Sequence, residues 1–281
     1  MKHIIRLALI VVTIFLANSF AYAGLPLNNL EGVGGVAFNP LAYPAEGDPL
    51  YSIGDTEVIS KPRFGTWYTN LGDPKIDWGS FGAATTLFKR LEISEGYQDI
   101  SWVAHGTFHK NNIGAKLLIL PENSFNTNFL PEISVGTIYK TTSDKVLRDL
   151  GLPTRGSGED WYAVATKTIT QLPLPVVLSS GILSSQELST GVLGFDNRRK
   201  ETAFENVDVV LPHNFAVGYE FKEGENYGKL SNANYWDVHV AWLANKNLTL
   251  VLAYTETGRY NPSNTKIGLG SGPVLSAQYA F

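Results

Sequence analysis

Hydrophobic and polar residues alternate with a period of two along most of the chain, in short segments set apart by Gly, Asn, Pro and Asp. That period sends successive side chains to opposite faces of a strand. In the segment 236–242, Trp236, Val238, Val240 and Trp242 share one face, and Asp237, His239 and Ala241 share the other. After a turn at 244–247, Leu248, Leu250, Leu252 and Tyr254 again fall together. Segment 214–222 sets Phe215, Val217, Tyr219 and Phe221 against Asn214, Ala216, Gly218, Glu220 and Lys222. Such faces fit a sheet with an apolar outside and a polar lumen, and equally a soluble sheet with one face in a core.

The connections separate these readings. The pattern predicts twelve strands, at 62–70, 80–88, 91–99, 113–121, 131–140, 160–170, 175–185, 201–211, 214–222, 234–243, 248–257 and 272–281. Connections 89–90, 122–130, 171–174, 212–213 and 244–247 read as short; 71–79, 100–112, 141–159, 186–200, 223–233 and 258–271 read as long. Strict alternation puts tight turns on one rim and polar loops on the other, the asymmetry of bacterial outer-membrane barrels. A Greek-key sandwich has no reason to keep that order. The predicted fold is all-β, an antiparallel up-and-down transmembrane β-barrel of about twelve strands over residues 62–281.

The chain begins differently. Lys2 and Arg6 precede an apolar stretch at 4–16, and Ala21-Tyr22-Ala23 supplies a small-x-small cleavage pattern, so 1–23 is expected to be a cleaved secretory signal peptide. The stretch is short of the ~20 residues of a spanning helix, and none of that length follows. A closed barrel is the other backbone that satisfies its own polar groups in lipid. The last strand carries Leu275, Ala277, Tyr279 and Phe281 on one face. Its aromatics at the last and third-last positions resemble the carboxy-terminal signal of outer-membrane proteins, which implies Tyr279 and Phe281 as an assembly signal read by the barrel-assembly machinery. The expected location is the outer membrane of a Gram-negative bacterium, with lipid and lipopolysaccharide as neighbours. Residues 24–61, with Gly32, Gly34, Gly35 and Gly47 among Pro40, Pro44 and Pro49, are expected to be an irregular segment at the periplasmic rim or a plug in the lumen.

Without Lys2 and Arg6 the chain has 20 basic and 26 acidic side chains, a formal charge near −6, and so lacks an electrostatic footprint for nucleic acid. The absence of cysteine excludes a disulfide framework, a thiolate metal site and a lipid-anchored lipoprotein.

Two stretches carry a resemblance. Leu27-Asn28-Asn29-Leu30-Glu31-Gly32-Val33-Gly34-Gly35-Val36-Ala37-Phe38-Asn39-Pro40 and the hairpin Thr86-Leu87-Phe88-Lys89-Arg90-Leu91-Glu92-Ile93-Ser94 are similar to a proteobacterial outer-membrane β-barrel family of unknown function. The likeness continues through 131–139 and 214–221. It implies a barrel and an envelope location, and brings no catalytic residues.

Candidate lumen-lining residues are Glu92, Lys116, Glu132, Lys140, Glu220, Lys222, Asp237 and His239. Their mixed signs suit a pore lining or a set of cross-links that close the interior. Candidate membrane-girdle residues are Trp67, Trp161, Tyr162, Trp236, Trp242 and Tyr254. His105 and His109 flank Thr107 in the segment read as the second long loop, without a third orienting group nearby in sequence; a solvated role is favoured over a nucleophile–base pair or a metal pair. His213 is expected in an exposed turn. Gly268, Gly270 and Gly272 lack the Lys-Ser/Thr and helix of a phosphate loop, and Glu159, Asp160 and Asp196 lack an ordered Ca²⁺ ligand spacing. No catalytic residue, metal or cofactor is assigned. The reading is a narrow channel for a small solute or oligosaccharide. The alternative is a non-conducting envelope protein, such as a polysaccharide-export accessory or surface-binding barrel. A rim-located hydrolase or acyltransferase ranks third.

Overall fold

The computed structural model describes residues 27–143, 148, 151, 154–228, 231–259 and 266–281. The expected signal peptide lies outside them. The strands in chain order are β1 (Pro49–Ile53), β2 (Thr56–Ser60), β3 (Arg63–Leu71), β4 (Ile76–Leu87), β5 (Leu91–Trp102), β6 (Gly106–Leu120), β7 (Glu132–Thr142) and β8 (Ser157–Ile169). They continue with β9 (Val176–Glu187), β10 (Phe195–Leu211), β11 (Phe215–Lys222), β12 (Ser231–Asn232), β13 (Tyr235–Leu243), β14 (Leu248–Glu256), β15 (Lys266–Ile267) and β16 (Ser271–Ala280). Twelve of these, β3 to β11 with β13, β14 and β16, pair antiparallel with their neighbours. The ring closes where β16 meets β3, from Val274 opposite Thr69 to Ala280 opposite Arg63. Closure removes the free edges of the sheet. The remaining strands are the β1–β2 hairpin and the two-residue pair β12–β15.

The alternation decides what faces where. Ile113, Ile182 and Leu252 are 61%, 63% and 58% exposed on the outside, within a belt that continues around the barrel. A soluble monomer keeps apolar patches to a few hundred Å², whereas lipid requires such a belt. Exterior aromatics gather toward both strand ends. Phe64, Phe215, Trp242 and Tyr279 lie near the end where β3 begins, and Tyr139, Trp161, Trp236 and Tyr254 toward the other.

Several expectations require correction. Trp67 and Tyr162 are not girdle residues: they are 2% and 4% exposed and point into the lumen. Each follows or precedes another aromatic on its strand, Tyr68 and Trp161, and the period of two can send only one of each pair outward. The Tyr162 ring lies across Gly136 of the paired strand, where a Cβ would meet its ring and hydroxyl at 2.3 Å.

Strands β4, β5, β6 and β10 extend further than the pattern predicted. The connection placed at 71–79 shrinks to 72–75, and that at 100–112 to 103–105. Conversely, the connection read as short at 122–130 spans 121–131 and is longer than either. The long–short alternation is therefore weak in the first half of the barrel, and the closure rests on the strand register. Residues 49–60, placed in an irregular segment, form the β1–β2 hairpin, joined to the barrel by Ile59 opposite Leu87.

Candidate functional site

Residues 27–45 lie inside the barrel and fill its lower half. This segment contributes no strand to the wall: its bridges, Asn28 to Gly34 and Gly35 to Pro40, are internal. Its irregular backbone leaves many N–H and C=O groups without ladder partners, and buried groups of that kind must be satisfied. The wall supplies the partners. Glu92 accepts the N–H of Gly34 at 2.9 Å and of Ala45 at 2.6 Å. Lys116 donates to the carbonyls of Gly34 (2.8 Å), Leu41 (3.1 Å) and Tyr43 (2.8 Å). Glu220 accepts the successive N–H groups of Ala37, Phe38 and Asn39 at 3.0–3.1 Å. Trp67 Nε1 donates to Asn28 O at 2.7 Å, Gln98 Nε2 to Leu30 O at 2.9 Å and Ser134 Oγ to Ala42 O at 2.6 Å. These contacts come from strands around the circumference, so the segment is a plug held on all sides.

Above the plug sits a layer of charge. Lys140 Nζ is 2.5 Å from Glu31 of the plug tip, 2.5 Å from Asp160 and 2.6 Å from Glu187. Glu187 also pairs with Lys222, whose second acidic neighbour is Glu225 at 3.8 Å. Lys110 donates to the carbonyl of Thr190. Beside this layer, His239 places Nδ1 2.7 Å from Asp237 and Nε2 2.8 Å from Asp208. Gly218 makes room for that triad: a Cβ there would come within 2.4 Å of the imidazole and 2.5 Å of Asp208.

The far end is covered by loops that turn inward. Leu188, Val192, Leu193, Tyr227 and Leu269 are buried against Trp78, Ile100, Trp102 and Phe108 of the wall. Ser189 N donates to Asn232 Oδ1 at 2.9 Å, which ties the loop after β9 to the loop after β11. Burial pushes the Tyr227 hydroxyl up, with Glu225 adding to the effect.

All eight candidate lumen residues are buried inside the barrel. The structure brings Glu92 to Lys116, Lys140 and Lys222 to a shared Glu187, and Asp237 to His239. Glu132 stands apart, accepting the N–H of Glu122 at 3.3 Å near the lower rim. Sequence reasoning missed Glu31, Lys110, Glu187 and Asp208. Lys110 and Glu187 fell within segments read as loops. Asp208 shares the face of the inward Val210 and Asn206, a parity the pattern offered.

Of the six girdle candidates, Trp161, Trp236, Trp242 and Tyr254 lie on the outside, as do Tyr279 and Phe281. His109 is on strand β6 and faces outward, not in a loop. Its Nδ1 is 2.8 Å from the Tyr97 hydroxyl and 3.6 Å from Asp99. His105 packs edge-on against Trp102 at 4.5 Å between centroids. Among the described residues neither imidazole is hydrogen-bonded to a Ser or Thr hydroxyl. His213 lies in the turn Pro212–Asn214.

No curated protein sequence matches the chain. Among solved structures, the barrel is similar to the KdgM porin at 11% identity, with 78% of this chain and 99% of that one covered and a TM-score of 0.52. It is similar also to the NanC porin at 10% identity, with 78% and 98% covered and a TM-score of 0.50. Likeness at that level carries the fold, a closed barrel of the outer-membrane kind. Residues 26–270 match the family described as "Protein of unknown function (DUF3034)", and the chain belongs to that family.

Proposed function

We propose that this protein is a narrow channel of the Gram-negative outer membrane, shut at rest by its own residues 27–45. The observation that carries the reading is the manner of closure. The plug is held by side chains of the wall reaching its backbone, while the barrel closes through β3 and β16 without any contribution from it. A barrel that is complete without its plug retains a polar interior when the plug leaves. Glu92, Lys116, Glu132 and Glu220 would then line a passage suited to a small solute or an oligosaccharide. The apolar belt faces lipid on the periplasmic side and lipopolysaccharide on the other, and insertion depends on the barrel-assembly machinery. Two of the structures it resembles in fold are porins, which supports a channel and leaves its solute open.

A second reading, a barrel that never conducts and acts through its rims, is favoured by the inward-turned loops that cover the far end. Planar-bilayer conductance separates the two. The full chain is expected to be silent, and a form lacking residues 27–45 to give steady ohmic steps. Silence from the deleted form, with its folding verified by heat-dependent gel migration, would abandon the channel in favour of the second reading.

A further inference from the structure

At the end of the barrel where β3 begins, plug and wall enclose a cavity of about 190 Å³, lined among others by Tyr43, Glu46, Arg63, Lys89, Glu122 and Glu132. Most of its polar groups are engaged. Glu122 accepts the Tyr43 hydroxyl (2.9 Å) and Thr168 N (2.9 Å) and pairs with Lys167 (2.9 Å). Glu132 takes the N–H of Glu122, and Lys89 leans outward to Glu57 at 3.5 Å. Two groups are left over. Arg63 Nε and Glu46 Oε2 are both buried without a hydrogen-bond partner. Arg63 and Glu46 form no ion pair with each other, although both line the same cavity.

Buried charged groups are costly unless paired, and an unsatisfied one in a native structure calls for a missing partner. Here the two free poles have opposite sign and face one space. At Glu92 and Lys116 the wall solves the problem by direct contact, at 2.8 Å. Water alone can fill the gap: at ~30 Å³ each, the cavity takes about six molecules. The same room admits a ligand of roughly six non-hydrogen atoms, and a guanidinium is well matched to a carboxylate in both charge and planar geometry.

We propose that this cavity binds a small zwitterion of the amino-acid type, its carboxylate on Arg63 and its ammonium on Glu46. Burial, with Glu57 adding and Lys89 and Arg63 opposing, pushes the Glu46 carboxyl up; an ammonium placed against it would favour the carboxylate form. Because the cavity wall belongs partly to the plug, the bound ligand would bridge plug and barrel. The binding itself does not depend on whether the barrel conducts.

The test is calorimetric titration of the refolded full chain in detergent with β-alanine, acetate and methylammonium. β-Alanine is expected to bind saturably at one site, with acetate and methylammonium weaker by about tenfold or more. Arg63→Gln and Glu46→Gln should each weaken β-alanine by a similar factor, while Glu201→Gln on the opposite rim changes nothing. Glu46 lies outside the strands, so its variant keeps the test open if Arg63→Gln does not fold. Three results would overturn the proposal: no saturable binding to the folded wild type, acetate binding as tightly as β-alanine, or β-alanine binding unchanged in a folded variant at either position.

Discussion

Lys116 Nζ lies 2.8 Å from Glu92 Oε2 with neither side chain exposed, and both also hold the backbone of the plug. The pair is thus a bond within the wall and a socket for the plug at once. Removing one partner of a buried pair leaves an uncompensated charge, a loss of about 3–5 kcal/mol. Lys116→Met is therefore expected to lower the urea midpoint in lipid vesicles strongly, and the double variant Glu92→Leu/Lys116→Met less so. A wild-type midpoint for Lys116→Met would show that the socket contributes nothing to stability.

Gly32 of the plug rests on a bare patch of wall made by Gly82 and Gly96, which are register partners on β4 and β5. A Cβ on Gly82 would come within 2.6 Å of Gly32 Cα, and one on Gly96 within 2.3 Å of Glu31 O. Both wall glycines sit in strands, where alanine costs little conformationally. Gly96→Ala should therefore leave the barrel folded and displace the plug, raising protease cleavage within residues 27–45. Gly79→Ala, whose Cβ would meet nothing closer than 3.9 Å, is the matched control. Equal cleavage in the two variants would mean that the plug does not depend on this contact.

Much of this arrangement is legible in the sequence, because a period of two fixes parity. Phe215 to Phe221 and Trp236 to Trp242 read correctly as outward rows, with Glu220, Asp237 and His239 between them. Parity alone does not say which face is outward where both carry aromatics, and that is why Trp67 and Tyr162 were misassigned. Polar strand ends are also hidden. Lys110, Asn111 and Asn112 look like loop residues, yet β6 runs through them because Lys110 and Asn112 point into a polar interior. The plug's partners are beyond reach of any local pattern: Glu220 meets Ala37 from 183 positions away.

The outer belt makes a separate prediction. Leu252 lies on the exterior of β14, 58% exposed and opposite Val240 and Leu275. On a lipid-facing strand an arginine near the bilayer midplane costs about 2–4 kcal/mol, whereas on a water-exposed sheet it costs next to nothing. Leu252→Arg is expected to destabilise the barrel by that amount in vesicles, measured by urea titration of tryptophan fluorescence. No change in stability would contradict the placement of the belt in lipid.

The inward-turned loops give the barrel a pH dependence of definite sign. Glu225, in the loop after β11, is 1% exposed; Asn232 Nδ2 donates to its carboxylate, and Lys222, already engaged by Glu187, stands 3.8 Å away. Burial pushes the Glu225 carboxyl up to about 7; Lys222 opposes the shift and Glu187 adds to it. An unfolded glutamate titrates near ~4.3, so the folded loop binds the proton more tightly than the unfolded chain does. Its contribution to stability is fully present below that lower value and is lost as the pH rises through about 7. Because Asn232 also accepts Ser189 N, the loosening should spread to residues 188–194. Hydrogen exchange, corrected for its intrinsic pH dependence, should show both loops better protected at pH 5 than at pH 8, and Glu225→Gln should flatten the difference. Equal protection of the wild type at the two pH values would mean that Glu225 carries its charge throughout and that the loops are held by their apolar contacts alone.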